Sequence, residues 1–342
     1  VVSGVGQATA GFLVDRLGAR PVMFVALGTL ALACLAAFFA QGYAGLMLSA
    51  ALFGIGNCSF HPVDFTILNQ RVSLPRLGYA FSAHGLTGNL GWAVAPVFMV
   101  GISSMFGWRA AYMAAACVFL GILALLVWMR DAIETKVVDR KVNDPHATHT
   151  LAFLKIPVVW WCFVFFFLST MTLAIVQTFS VSILQAMHHV SFESATLTLT
   201  AYMLSAAAGI FLGGFVASRW PLHSDRVVGV CMTVAAIFMA LCGSGWFGGT
   251  ATMVILAATG LSIGIGGPSR DMMIKKATPK GATGRVYGMV YSGLDVGFAI
   301  SPLVFGVFMD RGWYGLTLVC GAGVLLLSVL VALGVGKRTL VA

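Results

Sequence analysis

Long apolar runs alternate with short polar stretches along nearly the whole chain. Most of the runs approach the roughly 20 residues that a helix needs to cross a bilayer, and they are too long for the strands of a water-soluble fold. The runs predict helices at about 1–14, 22–40, 44–66, 79–103, 108–129, 157–179, 194–217, 227–245, 249–274, 286–308 and 313–336. The pattern therefore predicts an all-α membrane protein with about eleven spans.

Composition narrows the class further. Of the 342 residues, 59% are hydrophobic and only 9% are charged, whereas soluble domains carry roughly a quarter charged residues. This excludes a water-soluble fold, and the spread of the apolar runs excludes a soluble domain on a single anchor. The seven cysteines lie singly within apolar runs, without CxxC spacing. They predict neither a disulfide framework nor a metal site, and we expect no cofactor.

The basic residues indicate the topology. When the loops are assigned alternately to two sides, seventeen of the twenty Lys and Arg fall on one side, while Arg109 and Arg311 fall on the other and Arg270 lies inside a run. Cytoplasmic loops retain Lys and Arg, so the basic side is predicted to be cytoplasmic. The net charge of +9 is then explained by topology and by attraction to anionic lipid, and we expect no nucleic-acid partner.

An internal repeat organises the chain. GIGNCSFHP at 54–62 matches GLSIGIGGP at 260–268, and GWAVAP at 91–96 matches GFAISP at 297–302, both at an offset of 206 residues. The long polar stretch at 131–156 separates the two copies and is predicted to be a cytoplasmic linker. Parallel repeats around a central cavity are typical of secondary transporters.

The two copies differ in length. The second contains six apolar runs and the first only five, and the first run reaches Asp15 after fourteen residues in a chain that begins with Val1. A spanning helix needs more than this. Symmetry therefore predicts that one helix before residue 1 is missing and that the sequence is truncated at its N-terminus.

The segment GFLVDRLGAR at 11–20 resembles the cytoplasmic GxxxDRxGxR loop of the major facilitator superfamily. With the repeat and the linker, the resemblance covers the whole chain. It implies two pseudo-symmetric six-helix bundles, with spans 2–6 in 1–130 and spans 7–12 in 157–342, and transport by alternating access. More narrowly, SFHP followed by AFSAHGLTGNLGWAVAP is similar to the fosmidomycin-resistance-like efflux branch.

The resemblance assigns a gate to this loop. In the family such a loop latches the two halves in the outward-open state, and Arg71 is the expected partner of Asp15. The alternative is a tight turn whose arginines serve topology alone. Ser218 replaces the aspartate in the second copy, which predicts a weaker latch there. The expected gating residues are Gly11, Asp15, Arg16, Gly18, Arg20 and Arg71.

Asp295 is the strongest candidate for proton coupling. It lies near the middle of its apolar run, and its repeat equivalent is Asn89. An ionised carboxylate at that depth is costly, and burial favours its protonated form, so reversible protonation is the expected role. The alternative is a structural carboxylate hydrogen-bonded across helices.

Arg270 and Asp64 occupy equivalent positions in the two copies. They are expected to bridge the halves, or Arg270 binds an anionic substrate through its planar fork of donors. His61 lies three residues before Asp64, on the same helical face, and is a candidate proton relay. The alternative is that these side chains snorkel to the interface. For Asp271 the spacing favours an interfacial pair with Lys275.

Two further polar residues are candidates for substrate or proton contact. His84 lies about five residues into its apolar run, and Gln177 lies in the run after the linker. In the resembled family that span lines the cavity. For His84 the alternative is that a neighbouring helix satisfies the side chain.

Together these patterns predict a secondary active transporter of a small molecule. Proton-coupled efflux is favoured, with proton-coupled uptake of an organic anion and a non-transporting membrane sensor as alternatives. No GxxxxGK[ST] loop or HExxH motif is present, which argues against ATP-driven transport and against an enzyme. Ala50 stands where many proton-coupled exporters of the family carry arginine, which leaves the coupling open. We expect a monomer in a bacterial inner membrane.

Overall fold

The computed structural model describes residues 2–137, 152–279 and 281–339, and every regular element in these ranges is helical. Two short 3-10 turns, Ala152–Lys155 and Pro221–His223, accompany the α-helices. In chain order the α-helices are α1 (Val2–Leu17), α2 (Ala19–Phe39), α3 (Tyr43–Asn57), α4 (Phe60–Arg71), α5 (Leu74–Phe106), α6 (Trp108–Trp128), α7 (Pro157–His188), α8 (Phe192–Arg219), α9 (Ser224–Gly243), α10 (Gly249–Ala277), α11 (Thr283–Asp310) and α12 (Tyr314–Thr339).

Ten helical stretches within the described ranges are long and apolar enough to cross a membrane. One of them, Tyr43–Arg71, combines α3 and α4, because the single run predicted at 44–66 breaks at Cys58 and Ser59. The helix restarts at Phe60, which places Pro62 in its first turn, where the missing N–H is tolerated. Helix α1 has only 16 residues, as the short first run predicted. Most of the predicted linker, residues 138–151, lies outside the described residues.

Contacts group the chain into two compact units. Unit 1 comprises Val1–Ser73, Leu90–Ile156 and Thr278–Ser292, and unit 2 comprises Leu74–Asn89, Pro157–Ala277 and Gly293–Ala342. Relative to the sequence repeats, the start of α5 is grouped with the second repeat and the start of α11 with the first. The division into bundles at 1–130 and 157–342, with a linker at 131–156, stays a prediction.

Each unit has its own packing. In unit 1, α2 supplies most of a buried cluster formed by Val14, Ala19, Val22, Met23, Leu27 and Val63. In unit 2, α8 and α10 approach at backbone distance, because a Cβ added at Gly209 or Gly264 would overlap the carbonyl oxygen of the facing helix. Small residues permit such close approach between membrane helices.

Candidate functional site

The first polar site in unit 1 lies where α1 meets the beginning of α11. Gly11 and Gly284 face each other so closely that a Cβ on Gly11 would overlap the Gly284 carbonyl oxygen, and a Cβ on Gly284 would lie 2.6 Å from the Gly11 carbonyl oxygen. Glycine at both positions therefore lets the two backbones touch. This approach brings the carboxylate of Asp15, one turn after Gly11, to the first residues of α11.

Asp15 caps α11 from a different helix. The first amides of a helix have no acceptor within it. The Gly284 amide donates to Asp15 Oδ1 at 2.8 Å, and the Arg285 amide donates to Oδ2 at 3.2 Å. Arg285 Nε also donates to Oδ2 at 2.8 Å, and the two side chains are only 5% and 12% exposed. A carboxylate at a positive helix end with a guanidinium beside it is a buried, charge-assisted contact.

Arg71 does not pair with Asp15, so that expectation from the sequence is wrong. Its Nε donates to the carbonyl oxygen of Glu134 at 2.7 Å, and its Nη2 donates to the carbonyl oxygen of Asp131. The reason is geometric: the two Asp15 oxygens already accept from α11, while Arg71 at the end of α4 reaches the chain after α6. Sequence reasoning missed Arg285, because nothing in the sequence placed the start of α11 beside α1.

Part of the predicted gating loop contacts the same chain segment as Arg71. Arg20 approaches Glu134 at 3.6 Å, and the Ala19 amide donates to Thr135 Oγ1 at 2.8 Å. Gly18, between α1 and α2, has a φ of 87°, which only glycine adopts readily. Arg16 is exposed. The loop is thus held at the surface of unit 1 by residues 134–135, and its gating role stays a prediction.

An equivalent contact occurs in unit 2, where α8 meets the first half of α5. A Cβ on Gly78 would lie 2.7 Å from Ser218 Oγ, and a Cβ on Gly214 would lie 2.6 Å from Ser82 Cβ. Ser82 Oγ donates to the Ile210 carbonyl oxygen at 2.7 Å. The Ser218 hydroxyl is buried and has no hydrogen-bond partner among the described residues. Helix contact is retained here without a charge.

His61 and Asp64 belong to unit 1. His61 stacks on Tyr291 of α11 with ring centroids 4.3 Å apart, and Phe65 stacks on Tyr287 at 4.6 Å. The predicted relay histidine is therefore part of an aromatic stack between α4 and α11. Asp64 is half-buried in α4, and its expected bridge to Arg270 stays a prediction.

Arg270 belongs to unit 2 and pairs with its neighbour in the chain. Arg270 Nε donates to Asp271 Oδ1 at 3.0 Å, and its guanidinium carbon lies 4.8 Å from the centre of the Phe166 ring. The Asp271 carboxylate also interacts electrostatically with His84 on α5. Pairing of Asp271 with Lys275 at the interface was wrong, because the Asp271 side chain is only 7% exposed and turns to Arg270.

The remaining candidates are Asp295, Asn89 and Gln177. One carboxylate oxygen of Asp295, Oδ2, is buried with no hydrogen-bond partner among the described residues. Asn89 donates to the Gly85 carbonyl oxygen of its own helix at 2.9 Å. Gln177 is half-buried in α7. Within 2–137, 152–279 and 281–339, no group of three or more His, Cys, Asp or Glu side chains is arranged to hold a metal ion.

The chain is similar to known membrane proteins. The Major Facilitator Superfamily model matches residues 1–220 and 167–339. The membrane sensor protein UhpC of Escherichia coli is 22% identical over 322 residues, which are 85% of this chain and 71% of UhpC.

Two solved structures show the same fold. The fucose:proton symporter FucP of E. coli superposes with a TM-score of 0.78 at 13% identity, over 99% of this chain and 88% of FucP. The human organic anion transporter TETRAN superposes with a TM-score of 0.73 at 18% identity, over 97% of this chain and 81% of TETRAN. The predicted all-α membrane fold is confirmed, and the protein is a multi-pass integral membrane protein. Because the family model spans nearly all of its residues, the chain belongs to the Major Facilitator Superfamily.

Proposed function

We propose that this protein is a secondary active transporter that moves a small molecule by alternating access and couples the movement to protons. The observation that supports proton coupling is the position of Asp295 inside a candidate span. Its Oδ2 is buried without a hydrogen-bond partner among the described residues. Ionisable groups within spans are costly and commonly mark ion or proton pathways. The family, the FucP and TETRAN folds and the absence of a nucleotide-binding motif support a carrier rather than an ATP-driven pump.

The loop around Asp15 supplies the conformational part of the proposal. Its carboxylate holds the beginning of α11 through three hydrogen bonds. Such a contact stabilises one state of a carrier if it breaks in the other, because only a differential contact shifts an equilibrium. We infer that this contact forms in the state closed on the cytoplasmic side, with Gly11 and Gly284 setting the approach.

Direction and substrate are the finer parts of the proposal. We propose export of the substrate, with a place in the fosmidomycin-resistance-like branch. Proton-coupled uptake of an organic anion is the alternative. The two differ in the orientation of the pH gradient that drives flux. We propose a bacterial inner membrane as the location, a small organic molecule and protons as the partners, and a monomer as the working form. No enzymatic step is part of the proposal.

The test is flux through purified protein in liposomes, with labelled fosmidomycin, D-glucuronate and L-fucose as probes and a pH gradient imposed in either orientation. We expect one orientation to accumulate a probe, which gives the direction. Asp295→Asn should reduce gradient-driven flux at least tenfold, since the amide cannot bind and release a proton.

Asp310→Asn is the matched control, because Asp310 is an exposed aspartate at the end of the same helix. It should leave driven flux unchanged. Full pH-driven flux in Asp295→Asn would remove this residue from the coupling mechanism. Failure of all three probes to move under either gradient would overturn transport.

A membrane sensor is the second candidate, and the match to UhpC favours it. A sensor binds its ligand without carrying it across the bilayer. A probe that shifts the thermal unfolding of the protein but shows no flux under either gradient would support the sensor. Driven flux would exclude a purely sensory role.

A further inference from the structure

Residues 131–137 follow α6 and form a strap across unit 1. After a turn that ends at Ile133, the strap runs to Val137 without regular secondary structure. A segment of this kind has to pair its backbone polar groups with side chains or with water. The strap finds its partners at the end of α4 and at the turn between α1 and α2.

The end of α4 binds the strap through backbone atoms. Gln70 Nε2 donates to the Lys136 carbonyl oxygen at 3.2 Å, and the Lys136 amide donates back to Gln70 Oε1 at 2.8 Å. The neighbouring Arg71 donates to the carbonyl oxygens of Asp131 and Glu134. These four hydrogen bonds use no side chain of the strap. Helix α4 therefore recognises the path of the strap and not its sequence.

Thr135 fastens the strap to the turn between α1 and α2. Its hydroxyl accepts from the Ala19 amide at 2.8 Å, and Ala19 is the first residue of α2. The preceding Gly18 makes no side-chain cap for this helix, and the first amides of a helix have no acceptor within it. Thr135 therefore supplies from outside the hydroxyl that a serine or threonine supplies at an ordinary N-cap.

Charge adds little to this attachment. Arg20 approaches Glu134 at 3.6 Å and Asp131 at 4.0 Å, but the two acidic side chains are 56% and 87% exposed. Ion pairs at such exposure contribute little to stability. The attachment therefore depends on the hydrogen bonds of Gln70, Arg71 and Thr135.

The strap joins the ends of the two helices that hold the beginning of α11. Asp15 binds α11 from the α1 side, and the aromatic stack described above binds it from the α4 side. Gly288 of α11 touches both helices, because a Cβ there would overlap the Gln7 carbonyl oxygen of α1 and would lie 3.4 Å from Pro62 Cγ of α4. The beginning of α11 thus lies in a groove whose walls are α1 and α4.

A groove keeps its width only while its walls keep their spacing. We propose that the strap is a clamp that sets the spacing of α1 and α4 and thereby holds α11 in the groove. With the strap attached, Asp15 reaches the first amides of α11. Detachment exchanges the five hydrogen bonds of the strap for hydrogen bonds to water, so the two states are close enough in free energy to interconvert. In the detached state α1 and α4 separate more easily, and the amides of α11 lose their acceptor more often.

The clamp goes beyond the proposed function, and only its use in transport rests on that function. If the contact of Asp15 with α11 forms in the state closed on the cytoplasmic side, detachment of the strap favours opening. The clamp itself is a property of unit 1, so its test needs neither substrate nor flux.

The experiment is hydrogen–deuterium exchange of the purified full chain in detergent micelles, read by mass spectrometry on peptides covering 14–20, 130–137 and 281–288. Thr135→Val keeps the shape of the side chain and removes the acceptor for the Ala19 amide. Gln70→Ala removes both bonds to Lys136. In each variant we expect the amide released from its hydrogen bond to exchange about tenfold faster. The clamp also requires amides in 281–288 to exchange faster, by about threefold, although neither substitution touches α11.

Two further variants serve as controls. Thr135→Ser keeps a hydroxyl and should retain the wild-type exchange rates in 14–20 and 281–288. Gln41→Ala changes an exposed glutamine between α2 and α3 and should leave all three peptides unchanged.

The same measurement can overturn the clamp. Unchanged exchange of 14–20 in Thr135→Val and of 130–137 in Gln70→Ala would show that the strap is not attached in solution. Faster exchange of these peptides with unchanged exchange of 281–288 would show that the strap does not hold α11. The expected exchange pattern in a protein that moves no probe under either gradient would remove the proposed transport but keep the clamp. Driven flux together with unchanged exchange of 281–288 would do the reverse.

Discussion

Two helix contacts in this protein are built from equivalent positions of the sequence repeat, yet only one of them is charged. The contact of α1 with α11 lies in unit 1, and the contact of α8 with α5 lies in unit 2. The equivalent residues are Gly11 and Gly214, Asp15 and Ser218, and Gly284 and Gly78. Close glycine packing is common to both, so it does not depend on the carboxylate.

The difference follows from where the partner helix begins. Helix α11 begins at Thr283, so the amides of Gly284 and Arg285 have no acceptor in their own helix and donate to Asp15. Helix α5 begins at Leu74, four residues before Gly78, so the Gly78 amide has an acceptor within the helix. A carboxylate is useful only opposite free donors. The comparison teaches that the helix start, and not the glycine pair, determines which contact carries charge.

Removing the Asp15 carboxylate from the charged contact should have the largest effect on stability. Asp15→Asn removes the carboxylate charge that pairs with the nearly buried Arg285 guanidinium, and we expect the free energy of unfolding to fall by about 3 kcal/mol. Chemical unfolding in detergent micelles measures the change. The exposed Asp310→Asn serves as control and should shift stability by less than about 0.5 kcal/mol.

A second variant separates the contribution of the Arg285 charge from that of the amide donors at the beginning of α11. If Asp15→Asn with Arg285→Gln is more stable than Asp15→Asn alone, the loss comes from the arginine charge that Asp15 no longer neutralises. Equal stability of the two would show that the amide donors of α11 carry the contact.

Placing a carboxylate in the uncharged contact should have a smaller effect of the same sign. Ser218→Asp introduces a partly buried charge opposite Gly78, whose amide already has an acceptor within α5, and we expect a loss of about 1–3 kcal/mol. Unfolding in micelles at neutral pH measures it. A stabilising Ser218→Asp would contradict the explanation based on helix starts.

The smallest effects should come from two neighbouring hydroxyls in the uncharged contact. Ser82→Ala removes the hydrogen bond to the Ile210 carbonyl oxygen and should cost about 1 kcal/mol. Ser218→Ala removes a hydroxyl that has no hydrogen-bond partner among the described residues and should change stability by less than about 0.5 kcal/mol. Equal losses in the two variants would mean that Ser218 has a partner in solution.

The fold was predictable from the sequence because a helix that crosses a bilayer needs about 20 mainly apolar residues. Span length and apolar content predicted the helices. The break between α3 and α4 was harder to predict. The residues on both sides of the break are apolar, so the apolar pattern continues across it and does not reveal that one helix ends and another begins. Glycine and proline near Cys58 were the available signals.

Contacts at the sites were less predictable. Helical spacing paired Asp271 with Lys275, but burial turned its side chain toward Arg270, one residue away. Likewise, Arg71 was a reasonable partner for Asp15 by charge, but the donors came from α11, in the other sequence repeat. Such pairings depend on which helix ends meet in space, and a single sequence with local spacing rules does not contain that information.

The backbone contact between Gly11 and Gly284 has a consequence for the evolution of this chain. A side chain on either residue would separate α1 from α11 and would leave Asp15 out of reach of its donors. The two positions lie in different repeats but share one steric limit, so a change at one alters which residues are tolerated at the other. Among homologues, residue size at these two positions should therefore covary, even though neither side chain performs any chemistry.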